Sequence, residues 1–296
     1  MTTEHLSCSP DSGTNEDLVR VIEAHGWTDI LVLDGATSVA DADYVDPSRG
    51  DVAWFAQSFA DALEQAIGPG VPQALAVQRA IAAVRRAWLA ATDGCAVPPY
   101  ADPLAAMTWL RIRREDDHLA VSLYCLGDCK AFAVHADDTV VDLDPYVNPY
   151  EDVLQEAMAA LAREGVIDPH QRRARLLPML RARRASQHAA PAPDVLCLAP
   201  QGEFAAREHA LRLPPDTAVL AMTDGFYRLV DPYGLTTPED LGRRCRREGL
   251  AAPMRELRQF ELARPAEGSM AVKSADDASA VIWTAPAPDS SLKDRT

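Results

Sequence analysis

The chain has 296 residues, 48% of them hydrophobic and 25% charged, with a formal net charge of -15 at pH 7. Its apolar content supports a sizeable core, and its length suits one mixed-sheet domain. So acidic a protein is a poor partner for nucleic acid, whose phosphates call for basic groups, and for anionic membranes.

The opening Met1-Thr2-Thr3-Glu4-His5 has neither the basic nor the apolar region of a secretory signal, and no segment reaches the ~20 apolar residues that cross a bilayer. A cytoplasmic location is therefore expected. Cysteines stand at 8, 95, 125, 129, 197 and 245 without a CxxC pair, which predicts reduced thiols. None lies in a Gly-rich loop ending in Arg, so a thiolate nucleophile is not indicated.

In chain order, Thr28–Leu33 reads as a buried strand. Residues 49–67 and 73–92 read as amphipathic helices, with Trp54, Phe55, Phe59, Leu63 and Ile67, then Leu75, Ile81, Val84, Trp88 and Leu89, at helical spacing. Between them Gly68-Pro69-Gly70-Val71-Pro72 forces a turn. Strands follow at Met107–Arg113, Leu119–Tyr124 and Ala131–Val134, the first two antiparallel across Arg114–His118. Gly127-Asp128 reads as a hairpin turn between Leu119–Leu126 and Ala131–Val134. The stretch 137–193 reads as a helical insertion or flap ending in an Ala-Pro linker. Within it Arg172, Arg173, Arg175, Arg181, Arg183 and Arg184 form a basic patch, read either as a solvated helical face or as a docking surface for a phosphorylated or acidic partner. Val195–Leu198, Ala218–Met222 and Val281–Trp283 read as strands, and Phe226–Val230, Pro238–Glu248 and Ala252–Leu262 as helices. A tail from 285 to 296, rich in Pro, Ser and charge, is expected to be disordered. Strands and helices segregate rather than alternate, which predicts layered α+β packing.

Three segments share an apolar run associated with an acid: Ile30-Leu31-Val32-Leu33-Asp34-Gly35, Val219-Leu220-Ala221-Met222-Thr223-Asp224-Gly225, and Asp276-Asp277 before Ala280-Val281-Ile282-Trp283. A strand that delivers an Asp at its end, followed by a Gly that permits close backbone approach, can aim a carboxylate at a metal. Carboxylates gathered this way need cations or raised pKa values, and an all-oxygen set suits Mg²⁺ or Mn²⁺ rather than zinc. Each Asp-Gly pair alone is equally readable as turn chemistry.

The ordered series Gly13-Thr14-Asn15-Glu16-Asp17, Leu33-Asp34-Gly35-Ala36-Thr37-Ser38, Leu126-Gly127-Asp128-Cys129-Lys130-Ala131, Met222-Thr223-Asp224-Gly225-Phe226-Tyr227 and Asp276-Asp277-Ala278-Ser279 resembles the metal-dependent protein phosphatases of type 2C, from about residue 12 to 284. The resemblance implies a four-layer αββα sandwich, with residues 1–284 as one catalytic domain. It also implies hydrolysis of phosphoserine or phosphothreonine on a phosphorylated protein or peptide, by a water bridged by two Mg or Mn ions. By resemblance Asp34 bridges the two metals with the Gly35 carbonyl on the first, and Asp224 and Asp276 complete the second. Glu16 and Asp17 orient metal-bound waters. Asp277, where Asn is usual, either tightens metal binding or faces solvent, and Asp102 is the candidate ligand of a third metal. Asp128 is assigned a turn role.

Two departures stand out. Ala36-Thr37-Ser38 replaces the His and glycines of many members, removing one proton donor, and Ser9-Pro10-Asp11-Ser12-Gly13-Thr14 lacks the upstream phosphate-gripping Arg. They keep two alternatives open: a catalytically weak pseudophosphatase acting as a binding module, and a phosphatase of a small phosphorylated metabolite.

Overall fold

A computed structural model describes residues 2–10, 13–166, 168–263 and 275–285. In chain order it begins with β1 (Thr2–Cys8), β2 (Leu18–Ala24) and β3 (Trp27–Gly35), then α1 (Asp51–Ala66) and α2 (Gln73–Ala91). A 3-10 turn at Pro99–Ala101 leads into β4 (Leu104–Arg114), β5 (Leu119–Leu126), β6 (Lys130–Val134) and β7 (Val140–Asp142). The helices α3 (Tyr150–Arg163) and α4 (Pro169–Ala189) follow, then β8 (Leu196–Cys197), β9 (Arg207–Leu213) and β10 (Ala218–Met222). The described chain closes with α5 (Asp224–Tyr227), α6 (Pro238–Glu248), α7 (Ala251–Ala263) and β11 (Ala278–Thr284).

The strands pair into two antiparallel sheets, one ordered β2-β3-β4-β5-β9 with β8 beside β4, the other β1-β11-β10-β6-β7. Side-chain alternation divides each central strand between two cores. From β3 and β4, Leu31, Leu33, Met107 and Trp109 meet Phe55, Phe59, Val77 and Val84 of α1 and α2. Their neighbours Ile30, Val32, Leu110 and Ile112 turn to the other sheet, where Val219, Ala221, Val281 and Trp283 face them. On that sheet's outer side Leu220, Met222, Ala280 and Ile282 pack on Leu241, Cys245, Met254 and Leu257 of α6 and α7. The layers run helix, sheet, sheet, helix, the α+β sandwich that the resemblance implied. Strands covered on both faces explain why these segments are near-continuously apolar.

Gly127-Asp128 does not turn a hairpin: β5 lies in one sheet and β6 in the other, so the pair is a corner at which the chain crosses the sandwich. The two strands need no shared ladder, because β5 pairs with β4 and β9 while β6 pairs with β10 and β7. Cys125 and Cys129, on either side of this corner, are buried in the same inter-sheet core and unbridged. The tail 286–296 lies outside the described residues.

The basic patch on α4 is divided: Arg173 and Arg175 are exposed, yet each of the six arginines is engaged by the protein itself. Arg173 donates to the Ser38 carbonyl at 2.9 Å, Arg181 to the Val39 carbonyl at 2.8 Å and to Asp41, and Arg184 to the carbonyls of Ala36 and Thr37 at 3.2 and 3.1 Å. Arg172 binds the Val166 carbonyl, Arg175 pairs with Glu164, and Arg183 covers the Tyr150 ring. One helix thus grips the backbone that leaves Asp34-Gly35. Arg184, 7% exposed, has no ion-pair partner among the described residues; burial pulls its pKa down to about 10, leaving it charged at neutral pH. Arg184→Ala should therefore cost about 1–3 kcal/mol, the scale of charge-assisted hydrogen bonds to buried carbonyls. Hydrogen exchange should accelerate at the amides of 36–41 and stay slow in β10; equal protection of the loop in both proteins would refute the clamp.

Candidate metal centre

The site forms where the ends of both sheets meet. Asp34 is the penultimate residue of β3, opposite Ala106 of β4, at the end of a fully buried run. Gly35 follows because nothing larger fits: a Cβ there would stand 2.5 Å from Val52 Cγ1 and 2.6 Å from the Glu16 carbonyl oxygen. From the other sheet, β10 ends at Met222 and hands the chain through Thr223 to Asp224, the first residue of α5. Gly225 is equally constrained, since a Cβ would lie 1.8 Å from the Asp277 carbonyl oxygen. That contact sets the β10–α5 corner directly against the residues that open β11.

Thr223 ties these parts together. Its backbone N–H donates to the Ser279 carbonyl at 3.0 Å, and its hydroxyl donates to Asp17 Oδ2 at 2.8 Å. Asp277 is buried and neither faces solvent nor points at another acid: it accepts from Ser9 Oγ at 2.8 Å and from the Glu16 N–H at 2.7 Å. Asn15 accepts from the Asp17 N–H at 2.9 Å and donates to Ser7 Oγ at 2.7 Å, an Asx turn that fixes the next two acids. Asp277 and Asn15 thus pin the segment carrying Glu16 and Asp17 across the end of the sandwich.

The carboxyls of Asp34 and Asp224 act directly on each other, so that the ionised form of Asp224 raises the pKa of Asp34. Desolvation first, then the charges of Asp224, Asp17 and Asp128, drives the pKa of Asp34 well up. Asp224 is raised by desolvation and by Asp128, although its side chain keeps a face to solvent. Asp17 is pushed up to about 8, chiefly by desolvation, with Asp224 and Asp277 adding repulsion against the Thr223 bond. The same negative field reaches the buried Cys129, whose thiol is raised by burial and then by Asp34, Asp128, Asp17 and Asp224, so it is no nucleophile.

Not every residue singled out from the sequence joins this group. Asp102 stands apart: its carboxyl interacts with the Trp88 side chain and the Arg85 charge of α2, while its carbonyl oxygen lies 3.0 Å from His188 Nε2 of α4. Asp276 acts on Asp224 but forms an ion pair with Arg228 at 2.8 Å. Conversely, Asp128, read as a turn residue, presses its charge on both Asp34 and Asp224 and accepts from Asn148 Nδ2 at 2.7 Å. Arg228 escaped the sequence reading as well. Its signal was available, because a basic residue four positions after Asp224 in a helical segment shares that residue's face.

Among the described residues no group of three His, Cys, Asp or Glu side chains is arranged around one ion. The carboxyls instead turn to protein partners: Asp17 to Thr223, Asp34 and Asp224 to each other, Asp276 to Arg228. The donor set still fits a hard divalent cation. It is all oxygen and mutually repelling, so positive charge is wanted there.

Residues 7–260 match the family described as Protein phosphatase 2C. A search of curated proteins by sequence finds no match. Solved structures with this fold include the Streptococcus agalactiae serine/threonine phosphatase, with TM-score 0.54, 11% identity and 96% of this chain and 100% of that chain covered. The Mycobacterium tuberculosis serine/threonine phosphatase PstP/Ppp gives TM-score 0.52 at 15% identity over 96% and 98%. PppA, a key regulatory component of T6SS in Pseudomonas aeruginosa, gives TM-score 0.53 at 15% identity over 95% and 96%. At these identities the likeness establishes the fold alone. The family match, which runs over most of the chain and takes in the Asp34-Gly35 and Asp224-Gly225 motifs, makes this chain a member of the protein phosphatase 2C family.

Proposed function

We propose that this protein is a metal-dependent phosphomonoester hydrolase acting on phosphoserine or phosphothreonine in proteins. The observation that carries the reading is the convergence of Asp34 from one sheet and Asp224 from the other, with Asp17, Asp128 and Asp276 near enough to act on them, at the junction of the two sheets. When bound, divalent ions of the Mg²⁺ or Mn²⁺ kind supply an activated water for attack at phosphorus and cancel charge on the phosphoryl oxygens.

Asp34 and Asp224 are the residues to hold such ions, with the Gly35 carbonyl beside them and Asp276 as a further carboxylate. Asp17, oriented by Thr223, and Glu16, fixed through its backbone by Asp277, set the arrangement of water around the site. Arg184 places a buried positive charge behind Ala36 and Thr37, close enough to Glu16 to feel its charge. Asp224 is exposed, so solvent reaching it can supply the proton for a leaving alkoxide.

A second reading, a binding module with weak or no turnover, draws on one observation: Asp276 is already engaged by Arg228. A phosphothreonine peptide, a panel of small phosphorylated metabolites and Mn²⁺ calorimetry separate the possibilities. Hydrolysis of the peptide supports the protein substrate, preference for a metabolite supports a small one, and metal binding without turnover supports the binding module.

Asp34→Asn and Asp224→Asn should each lower Mn²⁺-dependent hydrolysis of p-nitrophenyl phosphate by more than about 100-fold, because loss of a ligand exceeds the 10–100-fold typical of its supporting partners. Circular dichroism should show the fold retained. Unchanged turnover in both variants would falsify the assignment.

Stability should also report the crowding. Asp17 binds its proton more tightly in the folded chain than at its ordinary 3.8, so its contribution is complete below about pH 4 and is lost as pH rises through about 8. Metal-free protein should thus lose more unfolding free energy between pH 4 and 8 than Asp17→Asn does. Parallel urea-denaturation profiles for the two across that window would contradict the raised pKa.

A further inference from the structure

Arg228 is the one basic side chain in ion-pair contact with the acids of the site among the described residues, and it is built in rather than laid on. Its guanidinium Nη2 donates to Asp276 Oδ2 at 2.8 Å, and its side chain is 14% exposed. The other terminal nitrogen, Nη1, is buried without a hydrogen-bond partner among the described residues. The backbone fixes the starting point of the side chain, because the Arg228 N–H donates to the Asp224 carbonyl at 3.0 Å, one turn along α5. Asp276 is held from its other oxygen too, Oδ1 accepting from the Asp277 N–H at 3.1 Å. Arg228 therefore lies between two of the acids expected to share a second cation, and its charge acts on both.

We propose that Arg228 is an internal counter-ion that competes with a second divalent cation for Asp276, so that the resting protein takes one divalent ion tightly at Asp34 and the Gly35 carbonyl and a second, at Asp224 and Asp276, only when the Arg228–Asp276 pair opens. The physical reason is that a guanidinium and a metal ion cannot both lie against the same carboxylate without strong mutual repulsion in a partly desolvated site. Arg is suited to the role because it stays charged at any working pH and its planar fork fits a carboxylate. The unpartnered Nη1 makes the arrangement changeable: once the partly exposed guanidinium turns from Asp276, that donor can serve an incoming anionic group such as a phosphoryl oxygen. Occupancy of the second position would then be coupled to the presence of substrate.

This inference rests on the reading of the site as a metal centre, and the test separates the two. Isothermal titration calorimetry with Mn²⁺, alongside electron paramagnetic resonance of the loaded protein, is applied to wild type, Arg228→Gln, Arg228→Lys and Asp276→Asn, each first checked by circular dichroism. Wild type should show one tight event and the spectrum of isolated Mn²⁺. Arg228→Gln, which keeps a hydrogen bond to Asp276 without the charge, should gain a second event at least about tenfold tighter than any in wild type, with the spectrum of a spin-coupled pair. Arg228→Lys should stay close to wild type. Asp276→Asn should leave the single tight event within about threefold, and this holds the inference to account even if Arg228→Gln fails to fold. Inorganic phosphate added to wild type should strengthen the second event. Two equally tight events in wild type, no gain in Arg228→Gln, or a tenfold loss of the tight event in Asp276→Asn would overturn the competition while leaving the metal centre standing. Absence of Mn²⁺ binding in every protein would overturn both.

Discussion

Repulsion between carboxylates is the constraint around which this molecule is organised. Two like unit charges about 4 Å apart oppose each other by about 4 kcal/mol at an effective dielectric near 20, a sizeable part of a domain's net stability. The fold nevertheless brings Asp34 from one sheet and Asp224 from the other close enough to repel, because the strands carrying them are buried for other reasons. Ile30 and Val32 precede Asp34, while Val219 and Ala221 precede Asp224, and all four belong to the same inter-sheet core. Apolar packing supplies the force and the acids are carried along with it. The site is therefore a property of the sandwich as a whole, which is why Gly35 and Gly225 matter: each admits a neighbouring backbone or side chain that a Cβ would push away, and either displacement would separate the two acids.

Around this acidic centre the protein places its positive charge selectively. The arginines of α4 do not neutralise the aspartates. They bind the carbonyls of Ala36, Thr37, Ser38 and Val39, fixing the loop that leaves Asp34 without silencing its carboxylate. Had these guanidinium groups reached Asp34 or Asp224 directly, the raised pKa values and the attraction for a divalent ion would both be lost. Carbonyl oxygens offer a donor-rich side chain a neutral partner, so a helix with six arginines can lie beside an acidic pocket and stabilise its frame.

What the sequence made legible follows from burial. Ile30–Leu33, Met107–Arg113 and Ala218–Met222 belong to central strands, buried along nearly their whole length, and they stand where the sequence pattern placed them. Edge strands left a weaker trace. In β1 and β9 half-buried and exposed positions alternate, and β7 is three residues long, so no run of apolar residues marks them. The Gly127-Asp128 corner was misread for a related reason: turn chemistry is local, whereas the choice between a hairpin and a sheet crossing depends on partners far away in sequence. Within the site, strand-end Asp-Gly pairs pointed to Asp34 and Asp224. Asp128 was hidden by its turn, and Asp277 by its likeness to a ligand, although its oxygens serve Ser9 and the Glu16 backbone. Asp102 is an acid near the right strand whose carboxyl meets α2.

Raised carboxyl pKa values and a guanidinium are two answers to the same electrostatic problem. Burial and mutual repulsion push Asp34, Asp17 and Asp224 toward their neutral forms, while Arg228 pairs with Asp276. The two devices would yield to a divalent ion differently. Asp224 keeps an exposed face through which a proton can exchange with solvent. Arg228 is tethered to α5 one turn beyond Asp224 and cannot leave. It must swing, and only another acceptor can compensate its charge when it does. The asymmetry between a mobile proton and a tethered cation makes the two halves of this carboxylate cluster unequal, and it turns one of them into a position whose occupancy depends on what else has bound.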